Sequence, residues 1–347
     1  MPDKNTEKPT INIEKYVSDV LNSIERERER EIVSRRFGLY DRKETLEQIG
    51  ELLGITRERV RQLEKSVVQK LKGAGVTKLP HLTDIQKLFT DQLGKIGNVA
   101  RVSDLAGKFT KDNSRVDQAR VAFLAELSPE LTVIDEDDFF YHSVSITQVL
   151  DEKAIKQHVG EIIEAIKSIA EPTTIDAIVK KVKFDDKKTV EALASISKLL
   201  ATLNGRWGLI KWPMVNPKNI RDKIYVILKE NGKHMHFNEI AAAIKKSDFK
   251  RKDVTTQAIH NELIKDKRFV LIGRGIYALS EWGYKKGTVS DIIAEVLKEA
   301  GKPLHRDEIV KKVLKNRFVK ETTILLNLQG RPQFKRVAKA TYDIAED

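Results

Sequence analysis

From Thr45 to Leu71 the chain reads TLEQIGELLGITRERVRQLEKSVVQKL, and its apolar positions follow the period of two helices broken by a turn. Ile49 and Leu53 fall one turn apart on the inner face of a first helix. Gly50 has no side chain, so a second helix can cross close there, and Gly54 can take the positive φ that ends a helix. Ile55 fills the corner, Thr56 is a good N-cap, and Val60 and Leu63 turn back to the core. Arg57, Glu58, Arg59, Arg61 and Gln62 are left pointing outward, crowded at the start of the second helix. The spacing predicts a helix-turn-helix.

Upstream, Ile13, Tyr16, Val17, Val20, Leu21 and Ile24 keep helical spacing in a segment expected to run from Ile11 to about Phe37. Its alternating run Glu25 to Glu31 is expected to be a solvated helical stretch with internal ion pairs and no site. Gly38 ends the segment, and Asp41, Arg42 and Lys43 form the loop before the central motif. Residues 1–10 are polar, with two prolines, and are expected to form a disordered tail.

After Pro80 the pattern changes and repeats itself. Gly232-Lys233 with His236, Glu239 and Ile240 recurs as Gly301-Lys302 with His305, Glu308 and Ile309, and Ile178–Val182 recurs as Ile309–Val313. Each unit reads helix, short extended turn, helix, helix, then short β-rich runs: 131–134 with 139–141, 205–210, 269–272 with 276–279, and 334–344. Three helices closed by a β-hairpin make a winged helix. The predicted fold is mainly α with small β-wings. A helix-turn-helix domain at 11–79 is followed by four tandem winged helices at 82–146, 153–213, 217–284 and 286–345.

Composition narrows the chemistry. The 347 residues call for several domains, and the net charge of +12 favours a polyanionic partner. That charge is uneven: residues 81–150 hold 7 Lys and Arg against 11 Asp and Glu, whereas 151–347 hold 39 against 26. Phosphate repels the first of these regions, so the acidic winged helix is expected to be a spacer or a protein contact. With no cysteine, disulfides and thiolate zinc sites are excluded. No apolar run reaches membrane-spanning length and no hydrophobic leader stands at the N-terminus, so a cytoplasmic location is expected.

ITRERVRQLEKSVVQKLK, preceded by RFGL and TLEQIGELLG, resembles region four of sigma-70 family factors, which reads the minus-35 promoter element. The resemblance implies that Arg57, Glu58 and Gln62 read bases and that Arg36, Arg59, Arg61 and Lys72 lie on or near phosphates. The chemistry agrees, since Arg suits guanine O6 and N7, a carboxylate accepts from cytosine N4, and Gln pairs with adenine. The family's usual Leu-Pro opening is missing from the first helix. About forty residues precede the motif, too few for the family's promoter-melting region, so a sigma-like reader is expected rather than a full sigma factor.

GKHMHFNEIAAAI followed by AIHNELIKDKRFVLIGRGIYALSEWGY, within 217–284, resembles the HARE-type winged helix found in the delta subunit of bacterial RNA polymerase. Here the reading places a possible second DNA contact: Lys250, Arg251 and Lys252 before the third helix, Thr256, Gln257, His260 and Asn261 around it, and Arg274 at the hairpin tip. His234 and His236 read as packed or surface residues rather than half a metal site. Asp135 to Asp138 read as a solvated turn, and Trp207, Trp212 and Trp282 as core seals. No catalytic motif, metal site, cofactor or small-molecule substrate is expected.

The leading expectation is a sequence-specific DNA-binding transcription factor for double-stranded DNA, with RNA polymerase core as a possible partner. The alternatives are a delta-like polymerase adaptor and a restriction- or modification-linked DNA-binding accessory.

Overall fold

Where one helix was expected from Ile11 to Phe37, there are two, α1 (Ile13–Asn22) and α2 (Glu27–Phe37). The Ser23 hydroxyl donates to the Val20 carbonyl at 2.6 Å, and Arg30 reaches back to the Ile24 carbonyl at 2.9 Å, closing the corner between them. The run from Glu25 to Glu31 is therefore more than a solvated face. Glu29 is buried, and Arg28 donates to the Leu53 carbonyl across the fold. The computed structural model describes residues 11–75, 77–184 and 186–345, so the tail expected at 1–10 lies outside the described residues. The chain divides between Ile210 and Lys211 into two units.

In the first unit, α3 (Leu46–Leu53) and α4 (Arg57–Ala74) follow α2 and close a small core of Ile32, Ile49 and Val60. Next come α5 (Leu82–Ile96), β1 (Val99–Arg101), α6 (Val102–Phe109), α7 (Arg115–Glu126), β2 (Leu131–Ile134) and β3 (Ser143–Ile146). The strands form an antiparallel sheet ordered β1-β3-β2. The second strand of the hairpin thus lies later than the expected 139–141. The Asp137 carboxylate accepts from the Phe139 and Phe140 amides at 2.7 and 2.6 Å, which turns the aromatic run into a loop. The strand itself looks polar. Its buried Ser143 and Ser145 hydroxyls are satisfied by the Tyr141 and Leu150 carbonyls.

One core crosses the division expected at residues 79–82. Val17, Val20, Leu71 and Leu79 belong to the same buried cluster as Phe89, Phe123 and Val144. Phe37 meets Phe123 edge-on at 5.0 Å between ring centres. Arg120 ties the seam: its buried guanidinium donates to the Leu39 carbonyl at 2.8 Å and pairs with Glu14 at 3.1 Å.

The unit ends with α8 (Glu152–Ile169), α9 (Ile175–Val179), α10 (Lys187–Ile196), β4 (Leu200–Leu203) and β5 (Arg206–Leu209). β4 and β5 pair as a hairpin, and Thr173 bridges Trp207 on its other edge. Trp207 is buried.

The second unit contains α11 (Ile220–Asn231), β6 (Met235–His236), α12 (Phe237–Lys246), α13 (Thr256–Lys265), β7 (Phe269–Gly273) and β8 (Ile276–Leu279). It continues with α14 (Val289–Ala300), β9 (Leu304–His305), α15 (Arg306–Asn316), α16 (Glu321–Gly330), β10 (Phe334–Ala338) and β11 (Thr341–Ile344). The sheets are ordered β6-β8-β7 and β9-β11-β10.

The repeated Gly, His and Ile now have physical meanings. Gly232 and Gly301 end α11 and α14 at φ 71° and 60°. The His236 and His305 ring nitrogens accept from the Asn238 and Asp307 amides as N-caps, and Ile240 and Ile309 are fully buried. The repeated motif is a helix stop, a cap and a core plug. In all four segments after residue 81 the order is helix, short extended stretch, helix, helix, strand, strand.

Candidate nucleic-acid interface

The α3–α4 corner is set by local chemistry. Thr45 and Gln48 form a reciprocal capping box at the start of α3, and Gly54 ends that helix at φ 64°. A Cβ on Gly50 would stand 2.7 Å from the Ile55 carbonyl, so the close approach that requires glycine is to the turn itself rather than to a crossing helix. The Thr56 hydroxyl accepts from the Arg59 amide at 3.2 Å and starts α4. Ile49 and Val60 are fully buried, with Leu53, Ile55 and Leu63 packed around them. α4 is thereby held with one face inward.

Its other face is open. Arg57, Glu58, Arg59, Arg61 and Gln62 are all exposed. Arg57 pairs with Glu47 of α3 at 2.9 Å. Arg61 grips Glu58 with two hydrogen bonds of 2.9 and 2.6 Å, and Gln62 joins Glu58 at 3.5 Å and Arg59 at 3.4 Å. The bond to Arg61 is the main reason that the Glu58 carboxyl lies below the usual carboxylate range. Exposed ion pairs of this kind are weak and exchange readily for a ligand's donors and acceptors. Glu47 escaped the sequence reading because its partner is ten positions away, across the turn.

The four residues assigned to phosphates divide. Arg59 and Arg61 share the exposed end of α4. Arg36 is half-buried and engaged by Glu64 at 3.3 Å and the Glu44 carbonyl at 3.4 Å. Lys72 pairs with Glu126 of α7, outside the helix-turn-helix. Arg36, Arg61 and Lys72 also line one cleft of about 810 Å³ behind α4, together with Arg42, Lys43, Lys65 and Arg115. None of those last four was singled out as a contact from the sequence; Arg42 and Lys43 come from the loop before α3 and Lys65 from α4, and the fold adds Arg115 of α7 to them.

In the second unit, Lys250, Arg251 and Lys252 are exposed on the loop before α13, with Arg251 at φ 53°. The buried Lys223 ammonium donates to the Arg251 carbonyl at 2.7 Å, and burial lowers its pKa. Gln257 and Asn261 are exposed and bonded to each other at 3.0 Å. Thr256 is half-buried. His260 is packed between the Phe237 and Tyr277 rings, at 5.1 and 6.1 Å between centres, so it serves the core more than the surface. Arg274 is exposed at the β7–β8 tip.

The first unit thus opens with a helix-turn-helix-type domain whose second helix presents polar side chains to solvent. Residues 26–73 match the sequence profile of a family described as Sigma-70, region 4. A stretch of 46 residues is 52% identical to the RNA polymerase sigma factor sigB of Arabidopsis thaliana, covering 13% of this chain and 8% of that protein. Another of 61 residues is 43% identical to the RNA polymerase sigma factor SigA of Bacillus sp, covering 17% of this chain and 16% of that one. The chain spans under a fifth of the length of either relative, with 8% and 16% matched.

Proposed function

We propose that this protein is a sequence-specific DNA-binding transcription factor in which α4 enters the major groove and reads a minus-35-type element. Arg57, Glu58 and Gln62 address base edges, while Arg59 and Arg61 address phosphates. The observation that carries the reading is the exposed polar end of α4, fixed by the Gly50–Gly54 corner, within a stretch similar to sigma factors. RNA polymerase core is the proposed protein partner, because both relatives are named as its sigma factors.

The four segments after residue 81 are proposed to be winged helices, the third of them HARE-like, on the ground of their shared element order. Lys250, Arg251, Lys252, Gln257, Asn261 and Arg274 offer a backbone contact in the third, with sequence preference supplied by α4. The test is selection of bound duplexes from a random pool by the full chain. A single preferred sequence that loses definition in Arg57→Ala supports the assignment, and an unselective pool refutes it.

A further inference from the structure

Net charge made residues 81–150 a poor partner for DNA, yet their charge is not evenly spread. Two helix faces line the cleft beside α4, with residues from 36–43 and Val133, Asp135 and His142 completing it. One is the face of α4 that continues from Arg61 through Lys65 and Gln69 to Lys72; the other is the side of α7 that runs from exposed Arg115 through half-buried Ala119 to Glu126. Lys72 and Glu126 join the walls as an ion pair near the C-terminal ends of both helices. Arg61 and Arg115 each stand three turns earlier on their own helix, roughly 16 Å along the axis at 1.5 Å per residue.

Seven cations line the cleft against four carboxylates, so its field is positive although the segment that builds one wall is acidic. Two of the four carboxylates, Glu64 and Glu126, are already engaged by Arg36 and Lys72. Arg42, Lys65 and Arg115 are exposed and have no carboxylate partner among the described residues. Burial above all, aided by the Lys43 charge and opposed by Asp135, holds the His142 imidazole of this lining below its ordinary pKa.

We propose that this cleft takes one sugar-phosphate strand of the duplex that α4 reads, and that Arg115 and Lys65 are backbone contacts. The proposal rests on the reading of α4 as the groove-entering helix and extends it to a wall that no part of the helix-turn-helix supplies. Continuity favours a strand over a small anion. Arg61, three and four residues from the base-reading Glu58 and Arg57, opens directly into the cleft. The unpaired cations stand on exposed rims, as phosphate contacts do, and are not enclosed around a point. The acidic segment thereby acts as a second jaw instead of a spacer.

The test is the salt dependence of full-chain binding to the selected duplex for Arg115→Gln, Lys65→Gln and the double variant, with Arg115→Lys as the conservative control. Each neutral substitution is expected to lower the log–log slope by about 0.9 and to leave base preference unchanged, and Arg115→Lys is expected to keep the wild-type slope. Unchanged slopes in both neutral variants, while Arg57→Ala still relaxes base preference, would overturn the cleft contact and leave the reading of α4 intact. Unselective binding whose slope still depends on Arg115 would do the reverse. Inorganic phosphate shifting the His142 NMR signal, with no shift from duplex, would also overturn the proposal in favour of a small-anion site.

Discussion

The helix-turn-helix of the first unit and the α12–α13 pair of the second present a helix differently. Between α3 and α4 stand three residues, Gly54 to Thr56, with a glycine that tolerates no Cβ behind them at Gly50. Between α12 and α13 stand the nine residues 247–255, held by buried Phe249 and by the Lys223 bond to the Arg251 carbonyl. A tight corner fixes the axis of a helix; a long loop fixes charge near one. The exposed chains of α4 can therefore be held to base edges, whereas those of α13 are fewer, with His260 turned to the rings around it. Base reading demands placement within fractions of an ångström, and phosphate contact does not.

The sharpest way to break this contrast is to loosen each helix from beneath. Ile49→Ala and Ile259→Ala each remove a fully buried side chain and are expected to cost about 2–5 kcal/mol of stability, read by denaturant melts. Only Ile49→Ala is expected to blur the selected DNA sequence. Next in size, Arg57→Ala and Gln62→Ala are expected to lower discrimination against the wrong base by about 1–3 kcal/mol each, measured by competition with single-base variants of the site. Gln257→Ala and Asn261→Ala should leave that discrimination unchanged.

A smaller effect separates charge from reading. Replacing Lys250, Arg251 and Lys252 together by Gln is expected to reduce the salt slope by about 0.9 for each phosphate they neutralise, with the preferred sequence retained. The smallest concerns Glu58. Because its folded pKa is depressed, its pair with Arg61 is fully formed above the ordinary carboxylate range and is lost as pH falls through the depressed value. Carboxyl NMR titration should find Glu58 low in the wild type and back in the usual range in Arg61→Ala.

What the sequence disclosed follows the range of each interaction. The α3–α4 corner was legible because Thr45, Gly54, Thr56 and the Ile49–Val60 spacing act over a few residues. The β-hairpins at 269–279 and 334–344 were legible for the same reason. β3 was misplaced because its apolar neighbour, Phe139–Tyr141, looked more strand-like than a run with two serines that are satisfied only within the fold. The core shared across residues 79–82, the Arg120 clasp and the Lys72–Glu126 pair join positions far apart in the chain, 54 for Lys72–Glu126 and 81 for Arg120–Leu39, and no local pattern encodes them. The acidic balance of 81–150 concealed the exposure of Arg115 beside α4, because a sum over a segment says nothing about which face its charges occupy.

The central claim is that the exposed end of α4 distinguishes bases. It is tested most directly by the affinity ratio of the full chain for its selected duplex and for one changed at a single contacted pair, compared between wild type and Arg57→Ala. The ratio is expected to fall by roughly 5- to 150-fold, the equivalent of 1–3 kcal/mol, at the one pair that Arg57 touches and to hold elsewhere. A ratio that is the same in both proteins at every pair would contradict the account.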